Sequence, residues 1–438
     1  MAAITLDASD RKELLARFLR YVQVDTQSDE NSTTSPSTEK QKNLSKILAQ
    51  ELRELGCADA AMDEWGYVVA TVPGNIPAGH AAAGKAPVIG LIAHVDTYQG
   101  TLGAGVKPQV IEDYRGGDIP LPGDPRQVIH VADNPNLPRC VGHTLITSDG
   151  TTLLGADDKA GVAEIMTAVA WLKKHPEFVH GPVRVAFTTD EEVGRGTEHF
   201  DVAAFGAAYA YTLDGSDLAE IEDETFCADS ALVVVNGHDV HPGYAKGKLI
   251  NAVRVGAAII ERLPTDFLPE TTDGRQPYLH PYDVRGDVTR LEIKFLVRAF
   301  TEDELHAREN VLRGIVTDVQ GLFPGVRISV DVKESYRNMA YKIAEDPKVL
   351  EVAFEAVRRM GMEPVRRAIR GGTDGARLSF MGLLTPNIWA GGQSFHSVQE
   401  RVSLDWMAKA SEVTLHLLRL WVERSAEGNR QKATGKRQ

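Results

Sequence analysis

Residues 88–97 read VIGLIAHVDT, an apolar run that ends in a histidine and, two positions later, an aspartate. The run is short, rich in Ile and Leu, and bounded by turn residues, so it reads as a buried strand. Working outward, Tyr67–Val72, Val183–Thr188 and Ala208–Leu213 have the same character. Helical periodicity lies between some of them, as in Gly161–Lys174, and also upstream. Residues 10–22 align Leu14, Leu15, Phe18, Leu19 and Val22 on one face. Residues 39–56 align Leu44, Ile47, Leu48, Leu52 and Leu55, with Gly56 as a stop. A polar loop, QSDENSTTSPST, separates these two helices. Strands alternating with helices give an α/β layered domain with a largely parallel sheet.

From about Asp223 the rhythm changes. Ala231–Asn236, Thr289–Phe300 and Val326–Val332 read as strands, and Asn251–Leu263 and Thr301–Phe323 as helices. This is the pattern of a compact α+β insert of the split βαβ, or ferredoxin-like, type. After about residue 340 the first rhythm resumes, with a helix at Asp346–Met360, a strand at Pro386–Ala390 and a helix at Leu404–Val422. The expected organisation is a discontinuous first domain, 1–222 and 339–424, around an inserted domain, 223–338. A polar, basic tail is expected over 425–438.

The 438 residues are 43% hydrophobic and 25% charged, as in globular proteins. A formal net charge of -13 argues against nucleic-acid or anionic-membrane partners, which need a positive surface. Three separated cysteines, Cys57, Cys140 and Cys227, do not make a disulfide framework. The N-terminal MAAITLDASDRKELL lacks a signal-type apolar core, and no run is long enough to span a bilayer. A cytoplasmic setting is expected.

The chemistry-bearing residues sit at strand ends. His94 and Asp96 share a face, because strand side chains alternate, and they leave the C-terminal end of a buried strand, where open α/β sheets place ligands. His94 could bind a metal with Asp96 orienting it. Alone, the pair also fits the turn that ends a strand. Asp157 and Asp158, in GADDKAG, open an apolar helix, where an Asp is either a ligand or a cap. Asp190, Glu191 and Glu192 end the strand VRVAFT and repel one another unless a cation or solvent screens them. One of the two glutamates can ligate metal while the other serves as general base. Asp214 ends another strand, and His396 follows the glycine pair after NIWA. Each signal is weak alone. Together His94, Asp157, Glu192, Asp214 and His396 form two histidines and three carboxylates on one α/β domain. That donor set suits Zn²⁺. Two ions about 3.5–4 Å apart need a bridging carboxylate.

The chain resembles the peptidase T group of tripeptide aminopeptidases, within the di-zinc peptidase family that also includes carboxypeptidase G-like enzymes. The resemblance rests on RFLRYVQVDTQSDE, IGLIAHVDT, VIEDYRGGDIPL, TLITSDGTTLLGADDKAGVAEIMTA, VRVAFTTDEEVGRG, HFDVAAF, VHPGYAKG and RGGTDGARLSFMGL, together with the glycine pair before His396. It implies one zinc held by His94, Asp157 and Asp214 and another by Asp157, Glu192 and His396, with Asp157 as bridge and Co²⁺ or Mn²⁺ as substitutes. Glu191 would be the general base and later the acid, and Asp96 would orient His94. His241 would reach the substrate carbonyl, while Arg298 and Arg370 would receive the peptide carboxylate. The implied substrates are short peptides, and the insert can also serve a homodimer. Two segments depart from the group. QSFHSVQE stands where its members read like YNYHGKHE, and TYQGTLGAG follows Asp96 in place of the usual wording. The alternatives are a dipeptidase, carboxypeptidase or N-deacylase on the same scaffold, or an inactive peptide-binding protein.

Overall fold

The computed structural model describes residues 4–434. The chain forms two compact units: Met1–Asp223 with Tyr341–Arg367 and Thr373–Gln438, and Glu224–Ala340 with Ala368–Gly372.

The first unit carries an eight-stranded sheet. In spatial order its strands are Ala61–Met62, Val68–Val72, Val183–Thr188, Ile89–His94, Tyr209–Gly215, Asn387–Trp389, Glu220–Glu224 and Val365–Ala368. Its centre is parallel: Ile89–His94 pairs in parallel with Val183–Thr188 on one side and Tyr209–Gly215 on the other, and Asn387–Trp389 continues that direction. Val68–Val72 and Glu220–Glu224 pair antiparallel at either side. Every residue of Ile89–His94 is buried, which is why its sequence is apolar throughout rather than alternating.

Helix Ala156–Lys174 lies against this sheet and is buried along almost its whole length. Helices Ala8–Val22 and Leu404–Thr434 cover it from outside. Its small residues permit the close approach. A Cβ at Gly161 would stand 1.8 Å from the carbonyl oxygen of Leu213, so only glycine fits there. On another flank, Tyr67, Ile92, Ala186, Phe200, Phe205, Ala210, Leu378 and Leu383 form a separate apolar cluster.

Some elements were not expected from the sequence. Gln109–Ile111, Leu145–Thr147, Gly392–Gln393 and Arg401–Ser403 form a small antiparallel sheet. Helix Leu404–Thr434 runs past Ser425 into the segment expected to be a tail; residues 435–438 of that segment lie outside the described residues. No helix among the described residues is long and apolar enough to cross a membrane. Cys57, Cys140 and Cys227 are buried, and none of the three is in a disulfide.

The second unit is a four-stranded antiparallel sheet whose spatial order is Tyr278–Gly286, Arg290–Ala299, Cys227–Asn236 and Arg327–Tyr336. Helices Ala252–Glu261 and Glu302–Leu322 supply the rest of its βαββαβ order, the split βαβ arrangement. Its core joins Val233, Val255, Ile293, Phe295, Leu312 and Val319. Strand Tyr278–Gly286 escaped the sequence reading because it is an edge strand: Leu279 is its one fully buried residue, so no alternation marks it.

Candidate metal centre

Four strand or helix ends of the first unit meet at one place. His94, the last residue of its strand, is 2% exposed and directs Nε2 toward Asp157 Oδ1 at 2.9 Å and Asp214 Oδ1 at 3.6 Å. Its Nδ1 lies 3.1 Å from the Asp96 carbonyl oxygen and 3.4 Å from Asp96 Oδ1. Asp96 is itself fixed: it accepts the backbone N–H groups of Glu191 at 3.0 Å and Glu192 at 3.2 Å. One carboxylate therefore connects the His94 strand to the acidic turn after VRVAFT.

The turn sorts its three adjacent acids. Asp190 takes a left-handed conformation (φ 63°) and points away, accepting from Ser37 N–H at 2.6 Å and Gln41 Nε2 at 2.7 Å. Glu192 turns inward, its Oε2 2.9 Å from His396 Nε2, while its Oε1 is buried without a hydrogen-bond partner. His396 also reaches Asp157 Oδ2 at 3.3 Å. Asp157 thus presents one oxygen to each histidine. Asp214 is steadied by its N–H, which donates to Asn387 Oδ1 at 3.0 Å.

The start of the GADDKAG helix is irregular. Asp157 and Asp158 have non-helical backbone angles, and the peptide bond between them is cis. Asp158 Oδ1 accepts the Gly161 N–H at 3.2 Å, a capping bond, and Oδ2 accepts the His94 N–H at 3.2 Å. Asp158 and Asp214 come close enough to His94 to form one potential cation group, and Asp157 and Glu192 form another with the same histidine.

The electrostatics are those of a concentrated acidic site. Burial pushes Glu192 up to about 8 and Asp214 up to about 6, with Asp157 adding repulsion to both. Burial raises Glu191 well above the usual carboxylate range, and Asp214, Asp374 and Glu192 add to it. The histidines respond in the opposite sense. Burial disfavours their charged forms, yet the carboxylates of Asp157, Asp214 and Asp96 raise His94, and Asp157 with Glu192 raises His396 to about 11. Asp157 is lowered, because the bonds from His396 and His94 outweigh its burial. Converging carboxylates, two imidazoles and an orphaned Glu192 oxygen fit a pair of divalent ions.

Three supporting residues escaped the sequence reading. Glu400 accepts the N–H groups of Leu154 at 2.8 Å, Gly155 at 2.7 Å and Asp157 at 3.0 Å, so the segment after His396 grips the loop that carries Asp157. Asp374 is buried near the centre, accepts from Thr188 Oγ1 at 2.7 Å and is pushed up to about 6, by burial first. Lys159 donates Nζ to the Val24 carbonyl at 2.8 Å, and burial lowers it to about 8. No spacing rule marks Glu400 or Asp374. Asp374 lies within the RGGTDGA stretch, and that is its only signal.

His241, Arg298 and Arg370 belong to the second unit. His241 Nδ1 accepts the Gly243 N–H at 3.1 Å, which leaves the proton of the neutral ring on Nε2. Arg298 uses Nη1 for the carbonyls of Asp229 and Val297, both at 3.0 Å. Arg370 commits Nη1 to the carbonyls of Gly274 and Gln276 and Nη2 to Thr272, so it also bolts that loop in place.

Known proteins resemble this chain over most of its length. Residues 148–420 match peptidase family M20/M25/M40. A peptidase T of Geobacillus thermodenitrificans is 45% identical over 416 residues, covering 95% of this chain and 100% of the relative. The aminopeptidase PepT from Bacillus cereus superposes with a TM-score of 0.70 at 23% identity, over 94% of this chain and 99% of the other. A dinuclear metal-binding peptidase of the M20 family from Bacillus subtilis superposes with a TM-score of 0.62 at 16% identity, over 95% and 99%. A central parallel sheet with a ferredoxin-like insert, acids and histidines gathered at its strand ends, and close similarity over nearly the whole chain lead to one assignment: the chain belongs to peptidase family M20/M25/M40.

Proposed function

We propose that this protein is a co-catalytic two-metal aminopeptidase that releases the N-terminal residue of tripeptides and other short peptides. The observation that carries the reading is the position of Asp157, with one oxygen toward His94 and the other toward His396. A carboxylate so placed offsets the repulsion between two neighbouring cations. His94, Asp157 and Asp214 would hold one ion, and Asp157, Glu192 and His396 the other. Asp158 stays outside the set, since its oxygens serve the His94 and Gly161 N–H groups. The mixed imidazole and carboxylate donors suit Zn²⁺, with Co²⁺ or Mn²⁺ as substitutes. Such a pair supplies Lewis acidity toward the scissile carbonyl and acidifies the attacking water.

The chain's own groups do the rest. Glu191 receives the proton that the water gives up and delivers it to the leaving amine. Its backbone N–H donates to Asp96, which fixes the turn that carries it. Asp96 holds His94 in orientation. His241, with its proton on Nε2, is the proposed donor to the developing oxyanion. Arg298 and Arg370 are the candidates for the peptide carboxylate, and Arg298 keeps more of its donors uncommitted. The relatives' names, peptidase T and aminopeptidase, support the free-amine substrate. Three buried cysteines outside any disulfide suit a cytoplasmic setting. The edge strands Tyr278–Gly286 and Arg327–Tyr336 offer a homodimer surface in the second unit.

The test couples metal analysis to product identification. The protein should carry two ions per chain and release the first residue of a free tripeptide, but leave its N-acetylated form intact. Glu191→Ala should keep fold and metal and lose about 10²–10⁴-fold in turnover. Intact free tripeptides after incubation with the metal-loaded protein would refute the activity. Cleavage of the acetylated form would favour a deacylase or carboxypeptidase instead.

A further inference from the structure

The loop after Asp96 and the loop around His396 touch. The Tyr98 ring lies flat on the His396 imidazole, with centroids 4.1 Å apart and planes 5° from parallel. From the same loop, Thr101 Oγ1 donates to the His396 carbonyl oxygen at 2.7 Å. The loop is itself gathered from behind. Gln27 Nε2 donates to the carbonyls of Tyr98 at 3.1 Å, Gln99 at 3.2 Å and Thr101 at 2.7 Å. The space that the Tyr98 ring fills is reserved by a glycine, since a Cβ at Gly100 would stand 2.4 Å from Tyr98 Cε1.

His396 needs such support. Its side chain is 42% exposed, and its backbone is left-handed (φ 61°), as is that of Ser394 (φ 57°). Left-handed conformations in residues other than glycine persist where neighbouring contacts determine them. A ligand whose ring can swing loses affinity by the population of its wrong orientations, and groups around a metal-binding histidine exist largely to prevent that. His94 is fixed through Nδ1 by Asp96, and His396 is fixed through the face of its ring.

We propose that Tyr98 is a positioning residue that sets the plane of the His396 imidazole, with Thr101 and Gln27 holding the two loops in register. The proposal rests on the reading of His396 as a metal ligand. It makes this stack a determinant of how tightly the second ion is held.

The experiment is a calorimetric titration of metal-stripped full-length protein with Zn²⁺, with the Co²⁺ absorption spectrum as a second readout. Wild type is compared with His396→Ala, Tyr98→Ala, Tyr98→Phe and Thr101→Val. Tyr98→Ala should weaken the second binding step about tenfold or more, leave the first step in place and change the Co²⁺ spectrum. Tyr98→Phe keeps the ring and should bind within about twofold of wild type. Thr101→Val should fall between them and supplies an independent test if Tyr98→Ala misfolds, as judged by circular dichroism. If His396→Ala weakens the second step but Tyr98→Ala and Thr101→Val do not, the clasp is wrong and the ligand assignment stands. If His396→Ala leaves both steps unchanged, the ligand assignment fails and the clasp falls with it. Two tight ions with clasp-dependent affinity but no tripeptide cleavage would uphold the clasp and overturn only the activity.

Discussion

The two histidines of the centre are held by opposite means. His94 ends a strand whose neighbours on both sides are hydrogen-bonded to it, and its side chain is almost wholly buried. His396 sits on a loop, half exposed, in a backbone conformation that only its contacts maintain. The first is positioned by the fold itself, and removing it should damage the fold. The second is positioned by a local arrangement of side chains, and removing it should damage mainly the site.

That contrast can be broken most sharply by truncating each histidine. His94→Ala leaves Asp214 without its histidine and Asp157 with His396 alone, and losing one member of a buried charged set typically costs about 3–5 kcal/mol. In chelator-treated protein, its thermal midpoint should drop by several degrees. His396→Ala should unfold close to wild type while losing the second ion. Equal midpoints for the two variants would erase the distinction. Glu400→Gln gives a smaller effect. It removes a carboxylate that accepts three N–H groups and places an amide where an acceptor is needed. Metal affinity should fall about 10–100-fold, since Asp157 is the residue proposed to serve both positions. Unchanged affinity for both ions would show that the Asp157 loop holds its shape without Glu400.

The smallest effect is in pH. Without metal, the folded state raises Glu192 from 4.5 to about 8, Asp214 from 3.8 to about 6 and Glu400 from 4.5 to about 7, each by burial first. An acid whose folded pKa lies above its unfolded value stabilises the fold below the unfolded value and loses that contribution as pH rises through the folded one. His94 and His396 are raised as well, so they act in the same direction. Metal-stripped protein should therefore unfold at a lower temperature at about pH 8 than at about pH 5, and added Zn²⁺ should close most of the gap. A stripped protein that becomes more stable with rising pH across that range would contradict the sign.

What could be read from the sequence follows the same division. VIGLIAHVDT is legible because burial on both faces leaves an apolar record, and the chemistry at its end follows from the alternation of side chains. GADDKAG and DEEVG are legible because adjacent acids at element ends are costly to explain otherwise. Which acid turns inward does not follow from that argument, because it depends on the left-handed turn at Asp190. The strands Gln109–Ile111, Gly392–Gln393 and Arg401–Ser403 are two or three residues long, and the sheet they form joins distant parts of the sequence, so no periodicity records them. Glu400 and Tyr98 act through tertiary contact alone, one on backbone N–H groups and one on a ring face. Neither leaves a pattern in its own segment.

The absent side chain at Gly161 has a further consequence. The helix that begins at the GADDKAG turn sits so close to the strand before Asp214 that no carbon atom fits between residue 161 and the Leu213 carbonyl. Asp158, which caps that helix, leans on the same gap, since a Cβ at 161 would also stand 2.5 Å from its Oδ1. The approach of the segment carrying Asp157 to the strand carrying Asp214 is thus limited by backbone atoms at Gly161 and Leu213. The calibre of the centre is written into the closest permitted approach of helix to sheet, and drift in sequence elsewhere can change what reaches the site without changing its width.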